Sequence, residues 1–153
     1  GLHIVSFGTQ ATLTPERYEI AAQFQTEGVA DTLFHGRGSS TASGLLTPAG
    51  PRLLNYSQEY DGRFGARSIT MALDESGRYN VAAQPVDGIH KEGFSASRVR
   101  GKVDPLTASI FTAINSSAAP CSQTIPVFDG RRIFNLKFKE LDQTELQPIG
   151  AAA

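Results

Sequence analysis

Hydrophobic and polar residues alternate along several short stretches of this chain. In the clearest N-terminal example, Tyr18, Ile20, Ala22 and Phe24 alternate with Arg17, Glu19, Ala21, Gln23 and Gln25. A period of two places successive side chains on opposite faces of a strand, so this stretch predicts a strand with one buried face. The stretch from Leu2 to Leu13 precedes it, and the turn residues Thr14-Pro15-Glu16 join the two, which predicts a hairpin.

The same alternation returns near the C-terminus. Phe134, Leu136 and Phe138 fall on one face, and Asn135, Lys137 and Lys139 fall on the other. This stretch follows a β-rich segment, 124–128, and the turn dipeptide Asp129-Gly130. The pattern predicts a second hairpin with one solvated face.

Between the two hairpins, short strand-like stretches are separated by turn residues. The predicted strands are 39–46, 53–60, 68–73 and 79–83, and the predicted turns are 47–51, 61–65 and 74–77. This spacing is typical of an antiparallel meander. Gly28 to Phe34 predicts one helical turn or a crossover, His35 to Gly38 predicts a turn, and Gln84 to Lys102 predicts a long loop.

One segment carries a clear helix start. Asp104 is a favourable N-cap and Pro105 a favourable first helical residue. The apolar residues Leu106, Ile110, Phe111 and Ile114 then form one stripe able to cover a sheet. The expected fold is therefore mainly β, an antiparallel curled sheet or a spiral or open β-barrel with one short α-helix, in a single domain over residues 1–153.

Composition narrows the possible functions. The net charge is −1, so the broad positive potential of a nucleic-acid-binding protein is missing, and no nucleic-acid partner is expected. No apolar run is long enough to cross a bilayer, so no transmembrane segment is expected. The sequence begins at Gly1 without an initiator methionine, which fits a mature chain from which a signal peptide has been removed.

The sequence offers few groups for chemistry. His3, His35 and His90 lie far apart, and the single cysteine, Cys121, has no partner motif. We therefore predict no metal site, no cofactor and no catalytic residue, and we interpret Cys121 as a structural thiol. The alternating basic residues Arg98, Arg100 and Lys102 are the candidate ligand-binding residues, for an anionic head group, although such a stretch also serves as a solvated strand edge.

Several blocks of the sequence resemble one protein family. The segment Val103 to Ala108, with its Asp-Pro-Leu, and the segment Cys121 to Leu136, with its Val-Phe-Asp-Gly-Arg-Arg, are similar to the bacterial exported family catalogued as domain of unknown function 3108. The upstream order is similar as well, in residues 28–31, 36–38, 46–51 and 61–68. The resemblance implies export to the periplasm of a Gram-negative bacterium and a β-barrel-like or curled-sheet fold, and it carries no catalytic residues with it.

Three functional hypotheses follow. The first is a non-catalytic periplasmic module for binding or scaffolding in the cell envelope, whose curled sheet presents a concave apolar face to a lipid, a lipidated peptide or an envelope protein. The alternative is a hydrolase-type enzyme with a site assembled from residues distant in sequence, using Asp31, His35 or Asp104 in a cleft. The third is a structural envelope protein that depends on a partner, for which a large exposed apolar patch is the expected sign.

Overall fold

The computed structural model describes residues 4–86, 94–114 and 123–137. Most of these residues lie in one antiparallel sheet whose seven strands follow one another in chain order. The strands are β1 (Val5–Leu13), β2 (Arg17–Thr26), β3 (Gly36–Thr47), β4 (Gly50–Gly62), β5 (Arg67–Leu73), β6 (Arg78–Gln84) and β7 (Phe94–Ser95). The first and last strands are not paired with each other, so the predicted antiparallel, mainly β fold is confirmed as an open sheet and not as a closed barrel.

A two-stranded hairpin and three short helices complete the described structure. The hairpin consists of β8 (Thr124–Phe128) and β9 (Ile133–Lys137), and the helices are α1 (Gly28–Phe34), α2 (Ala96–Val99) and α3 (Pro105–Ile114). The predicted helix is confirmed as α3. Two more helices are present, because the predicted helical turn forms α1 and part of the predicted long loop forms β7 and α2. Among these helices, none is long and apolar enough to cross a membrane.

The hydrophobic core lies on one face of the seven-stranded sheet. The register places Tyr18, Gly44 and Leu53 in one row across β2, β3 and β4. Helices α2 and α3 and the hairpin cover this face with side chains that include Val99, Leu106 and Phe128. We call it the core face, and its buried residues are Tyr18, Ile20, Ala42, Leu53, Tyr56, Ile69, Met71, Tyr79 and Ala83. The opposite face, which carries the other half of each alternation, is called the polar face.

The hairpin is bonded to the segment that precedes α3. The Val103 amide donates to the Pro126 carbonyl at 3.2 Å, and the Phe128 amide donates to the Val103 carbonyl at 2.9 Å. Val103, Ala108 and Val127 form a second small buried cluster at this junction. Helix α3 and the hairpin therefore belong to one covering layer.

Two predicted turns are wrong in position. Gly36 to Gly38 is the beginning of β3, and His35, with φ of 34°, ends α1 just before it. Strand β4 continues through Gly62, so the next reversal lies at 63–66, where Gly65 has φ of 96°. Gly36, Gly38 and Gly62 are predicted turn residues, whereas in the structure all three lie within strands. At Gly38 and Gly62 the rings of Phe24 and Tyr60 fill the space that a Cβ would occupy.

Some predictions fall on residues outside the described part of the chain. These are the predictions for His3, His90 and Cys121, the final residues of the second predicted hairpin, and the tail from Leu146 to Ala153. They stay predictions.

Candidate functional site

One cavity of about 840 Å³ lies at one end of the seven-stranded sheet. It is bordered by the first residues of β1, β3 and β5 and by the last residues of β2, β4 and β6. One further residue, Ala66, comes from the turn that precedes β5. We call it the polar cavity, and its lining is Ser6, Phe7, Gly8, Gln23, Phe24, Gln25, Arg37, Gly38, Ser39, Glu59, Tyr60, Asp61, Ala66, Arg67, Ser68 and Gln84.

The strand register assigns this cavity to the polar face. One row across the sheet runs through Gly8, Gln23, Ser39, Glu59, Ser68 and Gln84, and a parallel row runs through Ser6, Gln25, Arg37 and Asp61. Both rows alternate with core-face residues, so their side chains share the polar face. Since six successive strands border one cavity, the sheet curves towards the polar face at this end.

Opposite charges in the lining balance one another. The guanidinium Nη2 of Arg37 donates to the Oδ2 of Asp61 at 2.9 Å, directly across the β3–β4 pair. Glu59 and Arg67 add one further charge of each sign. The remaining polar side chains are neutral amides and hydroxyls. The cavity is thus suited to an uncharged or zwitterionic ligand more than to a strong anion.

Aromatic rings on the core face support the floor of the polar cavity. The ring of Phe24 lies across Gly38, in the space that a Cβ at this position would occupy. The ring of Tyr60 stacks beside it with ring centroids 6.2 Å apart. A glycine in a strand interior weakens the strand, and ring packing over the glycine compensates for the missing side chain. Because Gly38 has no side chain, the rings of Phe24 and Tyr60 can pack against its backbone from the core face and support the strands that form the cavity floor.

The predicted ligand-binding residues lie elsewhere. Arg98 belongs to α2, and Arg100 and Lys102 follow it in the connection to α3. Both arginines are exposed, whereas the half-buried Lys102 donates its Nζ to the Arg98 carbonyl at 3.0 Å. None of the three lines the polar cavity. As residues for an anionic head group they stay a prediction, although they lie at the end of α2 and in the connection after it instead of at a strand edge.

Two of the three residues of the alternative enzyme hypothesis come together. The Asp31 Oδ1 lies 3.2 Å from the His35 Nδ1, and the Thr26 hydroxyl donates to the same Oδ1 at 2.7 Å. The hydrogen bond from Thr26, reinforced by His35, lowers the pKa of Asp31. The Thr26 hydroxyl is therefore held by the carboxylate and not by the imidazole, which is not the arrangement of an activated nucleophile.

Asp104 does not join this pair. Its helix contacts Tyr18 at the start of β2, where the Thr107 hydroxyl donates to the Tyr18 hydroxyl at 3.4 Å. Thr26, which holds Asp31, is eight residues further along the same strand, a distance of roughly 26 Å. The structure therefore brings Asp31 and His35 together and places Asp104 in a separate part of the fold.

Asp104 has a different and fully buried environment. Its Oδ1 accepts hydrogen bonds from the amides of Leu106 and Thr107 at 3.0 and 2.9 Å, as an N-cap residue does. Its Oδ2 is buried and has no hydrogen-bond partner among the residues that the structure describes. Burial is the main reason that the pKa of Asp104 is raised. Burial also raises the pKa of the nearby Tyr18, Tyr56 and Tyr79 hydroxyls.

A comparison with known protein families identifies the family of this chain. The family model described as "Protein of unknown function (DUF3108)" matches residues 1–151. The chain belongs to the DUF3108 family. No curated protein and no solved structure matches it. The family assignment agrees with the resemblance found in the sequence blocks and adds no ligand or reaction to it.

The sequence of this DUF3108 domain did not identify the polar cavity residues. Gln23 and Gln25 were recognised only as the polar half of an alternating strand. The missing information was the register, which aligns them with Arg37, Glu59 and Asp61 from strands far away in the chain. The sequence does contain a signal for this cavity. Amide and charged residues lie near the end of one predicted strand and near the start of the next, and antiparallel pairing brings these positions to one end of the sheet.

Proposed function

We propose that this domain is a non-catalytic binding module of the bacterial cell envelope, which holds an uncharged polar group in the polar cavity. The observation that carries the proposal is the cavity itself, to which six strands contribute hydrogen-bonding side chains with balanced charge. Concave sites with a few convergent polar groups are typical of ligand binding.

The chemistry of the lining defines the ligand class. Gln23 and Gln25 each offer an amide donor and acceptor, and Ser39 and Ser68 each offer a hydroxyl. Such groups complement the hydroxyls and amides of a saccharide or a peptide segment. If the ligand is a lipid or a lipidated peptide, this lining supports contact with its polar part and not with its acyl chains.

Binding to the polar cavity is testable by NMR titration. We expect the backbone amides of the cavity residues to shift on addition of chitotriose, which carries both hydroxyl and N-acetyl groups. The double variant Gln23→Ala/Glu59→Ala, which removes two exposed cavity side chains, should weaken this binding about 30-fold, because two lost hydrogen bonds cost about 1 kcal/mol each. Dodecylphosphocholine serves as a second probe, with a lipid-like chain and a zwitterionic head group.

The controls lie on the same face of the sheet. Thr41→Ala and Thr70→Ala change exposed polar-face residues outside the cavity, so chitotriose should bind both as it binds the original chain. The proposal fails if neither probe shifts the cavity amides. A response to dodecylphosphocholine alone, centred on the core face, would contradict the polar ligand and favour an apolar one.

The envelope assignment has its own test, which is independent of the ligand. We expect the native gene product, expressed in its own host and released by osmotic shock, to appear with periplasmic marker proteins. Its support is the family resemblance in the sequence blocks. Co-fractionation with a cytoplasmic marker enzyme would refute this part of the proposal and leave the cavity proposal standing.

A further inference from the structure

Strand β1 has one free side in the described structure, since it forms the end of the seven-stranded sheet. The Glu27 amide donates to the Ile4 carbonyl at 3.0 Å, and the Thr14 amide donates to the Arg17 carbonyl at 2.9 Å. Even-numbered residues therefore direct their backbone groups towards β2. Because neighbouring residues of a strand alternate in this direction, the odd-numbered residues of β1 direct their N–H and C=O groups outward. These residues are Val5, Phe7, Thr9, Ala11 and Leu13.

This edge lacks the features that usually prevent strand pairing. Ile4 to Leu13 contains no charged residue and no proline. The pairing of β1 with β2 is regular over nine residues, without a bulge. Its apolar side chains are also open to solvent, with Val5, Phe7 and Leu13 exposed to 50%, 71% and 44%. Natural edge strands commonly carry a charge, a proline or a bulge, so an edge of this kind is suited to pairing with another strand.

The side-chain pattern of β1 is symmetric about Thr9. Apolar residues lie two and four positions to either side of it, namely Phe7 and Ala11, then Val5 and Leu13. The residues between them, Ser6, Gly8, Gln10 and Thr12, are small or polar. Two antiparallel copies centred on Thr9 therefore place apolar residues opposite apolar residues on one face and the remaining residues opposite one another on the other face.

We propose that two copies of this chain pair through β1, antiparallel about a twofold axis at Thr9. In this register Val5 lies opposite the partner's Leu13 and Phe7 lies opposite the partner's Ala11. Every outward N–H and C=O group of the odd-numbered residues then finds a partner, and the exposed apolar side chains cover one another. An uncharged edge brings no like charges together when it meets itself, which favours a second copy over a charged partner strand.

A proline at the dyad tests the pairing. Because the Thr9 N–H points outward, Thr9→Pro removes a donor from the edge without removing a bond to β2. Analytical ultracentrifugation of the full chain over a dilution series should show a dimer for the original sequence. Thr9→Pro should raise the dissociation constant about 30-fold, since two intermolecular hydrogen bonds of about 1 kcal/mol are lost.

A second pair of variants covers the case in which proline disturbs the fold. Thr9→Lys places two positive charges opposite each other at the axis and should also give monomers, whereas Thr41→Lys adds the same charge on β3 and should leave the dimer intact. A monomer at every concentration of the original chain overturns the proposal. A dimer that withstands both Thr9→Pro and Thr9→Lys overturns it too, because it must use another surface.

Discussion

Replacing Gly44 with alanine should lower the free energy of unfolding by about 3 kcal/mol, at the upper end of the usual cost of overpacking a core. A Cβ at this position meets the backbone carbonyl of Arg52 and the ring of Tyr18. Neither the Arg52 carbonyl nor the Tyr18 ring can shift easily to accommodate the added methyl group. The carbonyl belongs to β4 next to a register shift, and Tyr18 is buried among the core-face residues. Urea denaturation monitored by circular dichroism measures the difference.

Gly8→Ala is the matched control for this prediction. Gly8 is also a strand glycine, but a Cβ there meets only the flexible side chain of Gln23 at ordinary contact distance, 3.5 Å. We expect this variant to be as stable as the original chain or slightly more stable, by about 0.5 kcal/mol, because alanine restricts the unfolded chain. Equal destabilisation by the two substitutions would show that strand glycines, and not the contact with Tyr18 and Arg52, explain the loss.

Replacing Asp104 with asparagine should remove a pH dependence of stability. The pKa of Asp104 is raised in the folded protein because its carboxyl group is buried. A raised pKa means that folding favours the protonated form. The contribution of Asp104 to stability is therefore fully present below the ordinary pKa of aspartate, about 4, and is lost as the pH rises through the raised pKa, at up to about 1.4 kcal/mol per pH unit.

Asparagine keeps the capping oxygen and cannot ionise. Near pH 4 the Asp104→Asn variant should match the original chain, and at neutral pH it should be more stable. Thermal or urea unfolding at a series of pH values checks this difference. The lowered pKa values of Asp31 and Asp74 change stability in the opposite direction, with loss at low pH, but both groups are common to the two proteins and cancel in the comparison.

The variant Asp104→Ala distinguishes the contribution of helix capping to stability from the contribution of the ionisable carboxyl group. Alanine removes the oxygen that accepts from Leu106 and Thr107, and loss of an N-cap costs about 1 to 2 kcal/mol at every pH. The variant should therefore lack the pH dependence, as asparagine does, but start from a lower stability. If Asp104→Asn shows the same pH profile as the original chain, the buried carboxyl group is not its source.

The strands and α3 were predictable because their signals are local. The alternation around Tyr18 and Ile20 identifies β2 and its buried face, and Asp104 followed by Pro105 identifies the start of α3. The turn at Gly130 was predictable for the same reason, since its φ of 86° requires a residue such as glycine. The prediction of a turn at Gly38 was wrong because the role of this glycine depends on the ring of Phe24 from another strand, which no local pattern contains.

The candidate site was not predictable at the level of residues. Arg37 and Asp61 are 24 positions apart, and their contact depends on the register of β3 with β4. That register includes a shift between Ser43 and Gly44, which sequence alternation alone does not reveal. Asp31 and His35 were predictable as neighbours because they are four residues apart, in α1 and at its C-terminal end, but their separation from Asp104 is a property of the sheet.

The bonds between Val103 and the hairpin have a consequence for how the molecule opens. Val103, two residues before α3, shares backbone hydrogen bonds with the hairpin, whereas α3 and the hairpin contact the seven-stranded sheet through side chains such as Phe111, Leu106 and Phe128. Breaking those side-chain contacts releases helix and hairpin together, so they constitute one foldon. Native-state hydrogen exchange should therefore give the amides of Ala108 and Phe128 the same opening free energy, although they are twenty positions apart in the chain.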